Sequence, residues 1–327
     1  MDIKSVREYL GDDWKAVKEK IETSLMSDIA LLNSTNSTIL SNSGKQLRPL
    51  LALLIARACS GHQISEATVR YAAASELLHN ATLLHDDVAD NSEQRRGMPT
   101  IMSLMGPSVS VLVGDYWLVK AMELILGSSE GDHLVIKIFS KTLSDLAEGE
   151  MLQLQKAQSG DTCEDDYLRI IYSKTASLFE AACVSAAISV NASQEYRKAA
   201  KDYAVALGIA FQIKDDILDY AGTESVGKPL GVDILEQKIT MPLLGALASA
   251  SEEEEKHIRG LVKDIVGHPE YRDEIVDFVK SKGGVEYAKA RLQDYVDQAV
   301  EAVAVLEDTV EKKSLVELAH FTAIRDN

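Results

Sequence analysis

The sequence predicts an all-α protein, a large helical bundle around a central cavity, and three observations carry the helical part of that prediction. Only 6 prolines interrupt 327 residues. Ala, Leu, Glu and Lys abound while alternating β-branched runs are scarce, a balance that favours helix over strand. Four long stretches, Pro49–Ala58, Val69–His85, Val109–Leu126 and Tyr203–Tyr220, are apolar at helical spacing, several of them nearly all round. Helices without a polar face lie inside a bundle.

Helix ends are expected where turn-forming residues cluster. These are the Ser/Asn-rich Asn33–Gly44, then Gly97–Pro99, Gly127–Asp132, Ser159–Asp161, Gly222–Gly231 and Gly267–Pro269. None is long or biased enough to be an interdomain linker, so residues 1–327 read as a single domain, although length alone gives a prior of about two. The acidic run Glu252–Glu255 precedes a helix-like segment and reads as a solvated first turn, where negative charge suits the helix dipole.

Composition narrows the function. With 46% hydrophobic and 26% charged residues the chain can bury a large core, which excludes disorder and rod-like coiled coils. Lys and Arg total 34 against 51 Asp and Glu, a net charge of −17. That is the wrong sign for nucleic acid or an anionic lipid surface. An anionic substrate must therefore be held by a local basic cluster or through a metal cation. Cys59, Cys163 and Cys183 are widely separated and odd in number, so they suggest neither a disulfide framework nor zinc, and a reducing cytoplasm fits. The opening MDIKSVREYLGDDWK lacks the apolar stretch of a secretory signal. The uncharged run Met98–Gly114 is broken by Pro99, Gly106 and Pro107 and falls short of a membrane span. A soluble protein is expected.

The most informative feature is an echo between LLHDDVAD and FQIKDDILDY. Asp86, Asp87 and Asp90 sit at i, i+1 and i+4, which puts Asp86 above Asp90 on one helix face with Asp87 flanking. Asp215, Asp216 and Asp219 repeat that spacing. Like charges gathered beside apolar residues push one another toward protonation unless a cation sits among them. All-oxygen ligation without nearby Cys suits Mg²⁺, or Mn²⁺, better than zinc. Because Mg²⁺ completes its shell with water and phosphate oxygens, two such sets suggest a bridged diphosphate. Basic residues stand beside the acidic ones. Arg95 and Arg96 follow the first set, offering forked donors to phosphate. In GKQLRP, Lys45 and Arg48 lie near a helix start, where free N–H groups also favour anions. Lys174-Thr175, Lys228 and Lys238 add single charges.

In the order in which they occur, GKQLRP, HNATLLHDD, HDDVADNSEQRRG, GEMLQLQ, YSKTASLFEAA, GIAFQIKDDILDYAG and GKPLGVDILEQKITMP resemble the motifs of the trans-isoprenyl diphosphate synthases, the polyprenyl synthetase family, from about Gly44 to Leu244. The resemblance implies the isoprenoid synthase fold and a homodimer. It also implies Mg²⁺-dependent, head-to-tail condensation of isopentenyl diphosphate with an allylic diphosphate such as farnesyl or geranylgeranyl diphosphate. Asp86, Asp90 and Asp215 are implied metal ligands, with Asp87, Asp216 and Asp219 supporting them directly or through water. Arg95, Lys174, Lys228 and Lys238 are implied to contact the allylic diphosphate, and Lys45, Arg48, His79 and Arg96 the isopentenyl diphosphate. Gln153 and Gln212, with Thr175 beside Lys174, are implied to orient these groups, and His85 stands next to the metal cluster. Two departures stand out. Gln237 replaces the Gly that often precedes the lysine of the last motif, and the ending HFTAIRDN lacks the basic tail of some members, so Arg325 is assigned no contact.

Product length is expected to be set below the first aspartates. Four and five residues before Asp86 lie Thr82 and Ala81, some 6 to 8 Å deeper along a helix. Both are small where short-chain members carry aromatic floors, which implies a long all-trans product of about seven to nine units, octaprenyl favoured, for a quinone side chain. Such an apolar product is expected to leave by transient membrane contact. Three other readings fit parts of the sequence: a shorter geranylgeranyl-type synthase, a non-catalytic subunit that binds prenyl diphosphate, and a terpene cyclase. GKQLRP and RRG argue against the last.

Overall fold

The computed structural model describes residues 3–95, 97–127, 129, 131–221 and 231–325. Helix dominates, as composition and spacing predict. The strands among these residues are two-residue pieces, β1 (Gln94–Arg95) and β2 (Met98–Pro99), paired antiparallel with Arg95 opposite Met98. No described helix is long and apolar enough to cross a membrane. All three cysteines are free thiols.

The chain packs into two compact units, each assembled from separate stretches. The first contains the chain up to Ser140 together with Glu180–Lys201 and Val305–Leu315. The second contains Lys141–Phe179, Asp202–Ala304 and Val316 onward. In order, the helices are α1 (Ile3–Ser24), α2 (Ala30–Ser41), α3 (Leu47–Ser60), α4 (Glu66–Ala89), α5 (Ile101–Met105), α6 (Pro107–Ile125), α7 (Asp132–Ser159) and α8 (Glu164–Ile171). A π-helical turn (Tyr172–Ala176) leads into α9 (Ser177–Ser189) and α10 (Gln194–Ala221). After them come α11 (Val232–Leu235), α12 (Met241–Ala248), α13 (Glu252–Asp264), α14 (Tyr271–Ser281), α15 (Gly284–Ala302) and α16 (Val310–Ile324).

In the first unit α1 buries Val6, Leu10, Trp14, Val17 and Ile21, spaced three and four apart, against α3 and α4. The stretches predicted to be interior are interior. Every residue of α3 from Pro49 to Ala56 is buried, and so is every residue of α4 from Ala67 to Leu78. A reciprocal Ser65–Thr68 capping box starts α4. Its one buried cation, Arg70, pairs with Asp132 at 3.1 Å and donates to the Leu124 carbonyl at 2.6 Å, which offsets the cost of burying its charge. From His79 onward α4 emerges from the core, with His79, Asn80, Thr82, His85 and Asp86 all half-buried.

One expected helix stop is instead helix. The Ser/Asn-rich segment after Asn33 lies largely within α2, because its hydroxyls bond the helix's own carbonyls: Thr35 to Leu31 at 2.8 Å, Ser37 to Asn33 at 2.9 Å and Thr38 to Ser34 at 3.0 Å. Asn36 is buried, donating to the Leu25 carbonyl at 3.0 Å and accepting from Trp117 Nε1 at 2.8 Å. The run Glu252–Glu255 is the first turn of α13, capped by Ser251, as its acidic character predicts.

The second unit is arranged around the π-helical turn. There the Ser177 N–H reaches back to the Tyr172 carbonyl, five residues earlier, and the Ser177 hydroxyl donates to the Ser173 carbonyl at 2.7 Å. Two glycines make room for it. A Cβ on Gly149 of α7 would lie 2.5 Å from Ser173 Cβ, and one on Gly208 of α10 would lie 2.6 Å from Ala176 Cα. The second obstacle is backbone, so it cannot swing aside. Gly208→Ala is expected to cost about 1–3 kcal/mol, the range for overpacking a tight interface, read as a lower denaturation midpoint; an unchanged midpoint would show that the turn is free to shift.

Candidate active site

Both aspartate sets occupy the C-terminal ends of long helices. Asp86 and Asp87 lie in the last turn of α4, which Asp90 caps by donating its backbone N–H to the Asp86 carbonyl at 2.8 Å. Asp215, Asp216 and Asp219 lie in the last two turns of α10. A helix C-terminus carries partial negative charge and prefers cations, so carboxylates there add like charge to like.

Within each set the carboxylates are put to different uses. Asp87 is 5% exposed and accepts from Arg95 Nε at 2.8 Å, whereas Asp86 is half-buried and Asp90 exposed. The i+1 position lies about 100° round the helix from its neighbour, which turns Asp87 toward Arg95. Arg95 itself is held on β1 in the short hairpin whose return is eased by the positive φ of Gly97. Arg96, the next residue, falls outside the described residues. His85 packs its ring against Gly114 of α6, with Nε2 at 3.2 Å from Asp115.

The basic loop ahead of α3 is shaped by a residue that the sequence reading missed. Gln46, the N-cap of α3, adopts left-handed φ 47° and ψ 48°, costly for a residue with a Cβ. Arg7 of α1 donates from a guanidinium nitrogen to the carbonyl of Lys45 at 2.5 Å and lies 5.0 Å from the centroid of the Trp14 ring. It thereby ties down the turn that carries Lys45 and Arg48, both half-buried at the start of α3 as predicted. Two turns before Asp86, His79 is half-buried and its carbonyl accepts from the Thr82 hydroxyl at 2.8 Å, while Ala81 is 1% exposed.

In the second unit a relay of polar side chains begins at the π-helical turn. The Thr175 hydroxyl donates to Gln212 Oε1 at 3.1 Å, Gln212 Nε2 donates to Asp216 Oδ1 at 3.1 Å, and the Tyr167 hydroxyl donates to Asp216 Oδ2 at 2.5 Å. Burial, then the nearby Asp233 carboxylate, pushes the Asp216 carboxyl well above the usual carboxylate range. Burial and Asp216 likewise push the Tyr167 phenol up, so it remains a donor. Lys174 pairs with Glu150 Oε2 at 2.5 Å and donates to Gln153 Oε1 at 3.1 Å. Asp219 accepts the backbone N–H groups of Val232 at 3.0 Å and Asp233 at 3.2 Å, holding the return of the chain into α11. Asp215 is engaged by Arg325, the residue to which the sequence reading assigned no contact. The two meet at 2.6 Å.

Lys228 lies outside the described residues. Lys238 sits between acidic neighbours, paired with Glu236 and 4.0 Å from Asp233. The residue before it, Gln237, has φ 58°, the left-handed backbone that explains why a glycine is frequent there. Gln237 adopts it nonetheless and donates from Nε2 to the Lys263 carbonyl at 2.7 Å.

The donor chemistry fits a hard divalent cation. The carboxylates are oxygen donors at negative helix ends, and Asp216 is pushed up by burial first and then by the neighbouring Asp233 carboxylate, a strain that nearby positive charge relieves. Among the described residues, however, no three His, Cys, Asp or Glu side chains stand together ready to hold an ion. The convergence expected from the i, i+1, i+4 spacing is divided among Arg95, Tyr167, backbone N–H groups and Arg325. A cation here must draw further ligands from water or from a bound anion, as Mg²⁺ characteristically does.

With this geometry in view, known proteins supply a close context. The profile of the polyprenyl synthetase family matches residues 29–279. The chain is 38% identical over 327 residues to an octaprenyl diphosphate synthase of Escherichia coli, covering 100% of both proteins. Among solved structures it is similar to a decaprenyl diphosphate synthase from Rhodobacter capsulatus, with a TM-score of 0.92, 36% identity and 100% of both chains covered. It is also similar to a polyprenyl synthase from Caulobacter crescentus complexed with calcium and isoprenyl diphosphate, with a TM-score of 0.88, 32% identity, and 100% of this chain and 98% of that one covered.

Burial, then Asp219, raises the folded pKa of Asp233 from 3.8 to about 6, so the native state binds that proton more tightly than the unfolded chain. The stability contributed by the protonated form is complete below about pH 4 and lost as pH rises through about 6. Asp233→Asn is therefore expected to stabilise the metal-free protein at neutral pH by about 1–3 kcal/mol, with the gain in melting temperature shrinking to nothing as the pH is lowered to about 4. A gain independent of pH would exclude titration of this carboxylate as its source.

Proposed function

The chain belongs to the polyprenyl synthetase family, and from that premise we propose that this prenyltransferase, a maker of long-chain prenyl diphosphates, extends an allylic diphosphate to the octaprenyl length with Mg²⁺. The observation that carries the reading is the placing of two Asp-Asp-x-x-Asp segments on the negative ends of α4 and α10, one of them wired through Gln212 and Thr175 to the turn bearing Lys174. The single-domain reading over 1–327 is supported by a family match that draws on both units and by a relative aligned from end to end.

Asp86 and Asp90 in the first unit and Asp215 in the second would hold Mg²⁺ ions, with Asp87, Asp216 and Asp219 supporting them directly or through water. The bound ion supplies charge neutralisation to the departing diphosphate. Arg95, Lys174, Lys228 and Lys238 bind the allylic diphosphate as charge-assisted donors. Lys45, Arg48, His79 and Arg96 bind isopentenyl diphosphate, at a loop that Arg7 keeps in its left-handed turn. Thr175 and Gln212 present oxygen atoms at the π-helical turn, aligned by the relay to Asp216 and Tyr167, where a developing allylic cation gains from fixed dipoles. No protein nucleophile is required, and the departing diphosphate takes the final proton.

The test is incorporation of radiolabelled isopentenyl diphosphate by the purified chain with farnesyl or geranylgeranyl diphosphate as primer and Mg²⁺ present, followed by product chromatography. Products of about seven to nine units are expected, becoming shorter in Ala81→Phe and Thr82→Phe, whose rings fall one to two isoprene lengths below Asp86. No incorporation with any allylic primer would favour the non-catalytic subunit, and unchanged lengths in both variants would place the chain-length determinant elsewhere.

We further infer a homodimer formed through α6. Leu112 and Val119, seven residues apart and so on one face of α6, are 67% and 53% exposed, apolar groups suited to a self-complementary contact. Leu112→Glu is expected to shift the sedimenting species from dimer to monomer, whereas a wild-type protein that sediments as a monomer would dismiss the proposal.

A further inference from the structure

Arg325 follows directly on α16, and its side chain is only 5% exposed. An arginine near the end of a chain is ordinarily solvated. This one is held by a single turn of α10. One guanidinium nitrogen donates to Asp215 Oδ1 at 2.6 Å and to the Phe211 carbonyl at 2.9 Å, and the guanidinium carbon stands 3.9 Å from the centroid of the Phe211 ring. Phe211 and Asp215 are one turn apart, so the planar group spans both. Its Nε is buried with no hydrogen-bond partner among the described residues. An arginine that leaves a donor unsatisfied in order to reach a carboxylate is held there mainly by charge and stacking.

The consequence falls on Asp215, which alone of its set keeps a partly solvent-accessible carboxylate without bonds to a tyrosine or to backbone N–H groups. It retains 42% side-chain exposure, so a cation from solvent can reach it, but one of its oxygens is already paired with a permanent positive charge. A divalent ion approaching the free protein meets a carboxylate whose charge is largely compensated. To take both oxygens it must break a pair whose arginine is almost wholly buried, which is costly. The same ion carrying a diphosphate brings its own oxygen ligands and needs only the remaining oxygen of Asp215.

We propose that Arg325 is a positioning residue that neutralises Asp215 in the free protein and so makes divalent-metal binding at the second aspartate segment depend on a diphosphate. The inference rests on the assignment of Asp215 as a metal ligand and adds the order in which the ligands assemble. It gives Arg325 a role in keeping the site from filling with metal before substrate arrives.

The experiment is a Mn²⁺ titration of the full chain, read by the electron paramagnetic resonance signal of free Mn²⁺, with and without inorganic pyrophosphate. Wild type, Arg325→Gln, Arg325→Lys and Asp215→Asn are compared. Without pyrophosphate, Arg325→Gln is expected to bind Mn²⁺ more tightly than wild type by about tenfold or more, the scale on which one adjacent charge shifts a carboxylate. Arg325→Lys, which keeps the charge, should stay near wild type, and the enhancement by pyrophosphate should shrink in the glutamine variant. Arg325→Met, which preserves packing on Phe211 without charge, replaces the glutamine variant if that one does not fold. Unchanged or weaker Mn²⁺ binding in the uncharged variants, with Asp215→Asn still abolishing the pyrophosphate-dependent site, overturns the inference and leaves the metal assignment standing. Pyrophosphate-dependent Mn²⁺ binding by Asp215→Asn equal to wild type removes the metal assignment and the inference with it.

Discussion

The chemistry of this protein depends on negative charge placed where a helix is already negative. At the ends of α4 and α10 carboxylates stand where the helix dipole is already negative, an arrangement that destabilises the isolated fold unless cations come to it. The protein supplies some of that positive charge from its own side chains. Arg95 covers Asp87 and Arg325 covers Asp215, while the deepest carboxylate, Asp216, is stabilised by the Tyr167 hydroxyl and the Gln212 amide in place of a full charge. In the proposed function, the remaining deficit is what a metal and its diphosphate would answer.

Rigid support for this arrangement comes from packing that leaves little slack. The inner helices α3 and α4 are buried all round along most of their length, so the emerging end of α4 is anchored from behind. In the second unit Gly149 and Gly208 admit a π-helical turn that a β-carbon at either position would obstruct. That turn brings Thr175 into register with Gln212 on α10, and hence with Asp216, while placing Lys174 beside Glu150. Insertion of one extra residue in a helix thus becomes a way of aiming two side chains at once.

The helical fold, and the kinds of groups at the candidate site, were legible in the sequence. Helix type followed from periodicity, and the paired Asp-Asp-x-x-Asp segments with their adjacent basic residues pointed to a metal and a diphosphate on charge alone. The placement of Lys45 and Arg48 at a helix start, and the solvated first turn at Glu252–Glu255, followed from local rules and agree with the structure. Where local rules misled, a local bond was the cause. The Ser/Asn-rich segment looked like a break because such side chains compete with the backbone, yet in α2 they bond within the helix and leave it intact.

The sequence by itself determined what kind of groups would be present: oxygen donors at helical spacing, cations close to them in the chain, and apolar helices to carry both. Only the tertiary structure decided how those groups are shared out. Arg7 lies 38 residues from Lys45 and Arg325 lies 110 from Asp215, and no periodicity links such distant positions. Which carboxylate faces a tyrosine, a backbone amide or an arginine is set by packing between helices brought together by folding, and hydrogen bonding then commits each oxygen to a single partner.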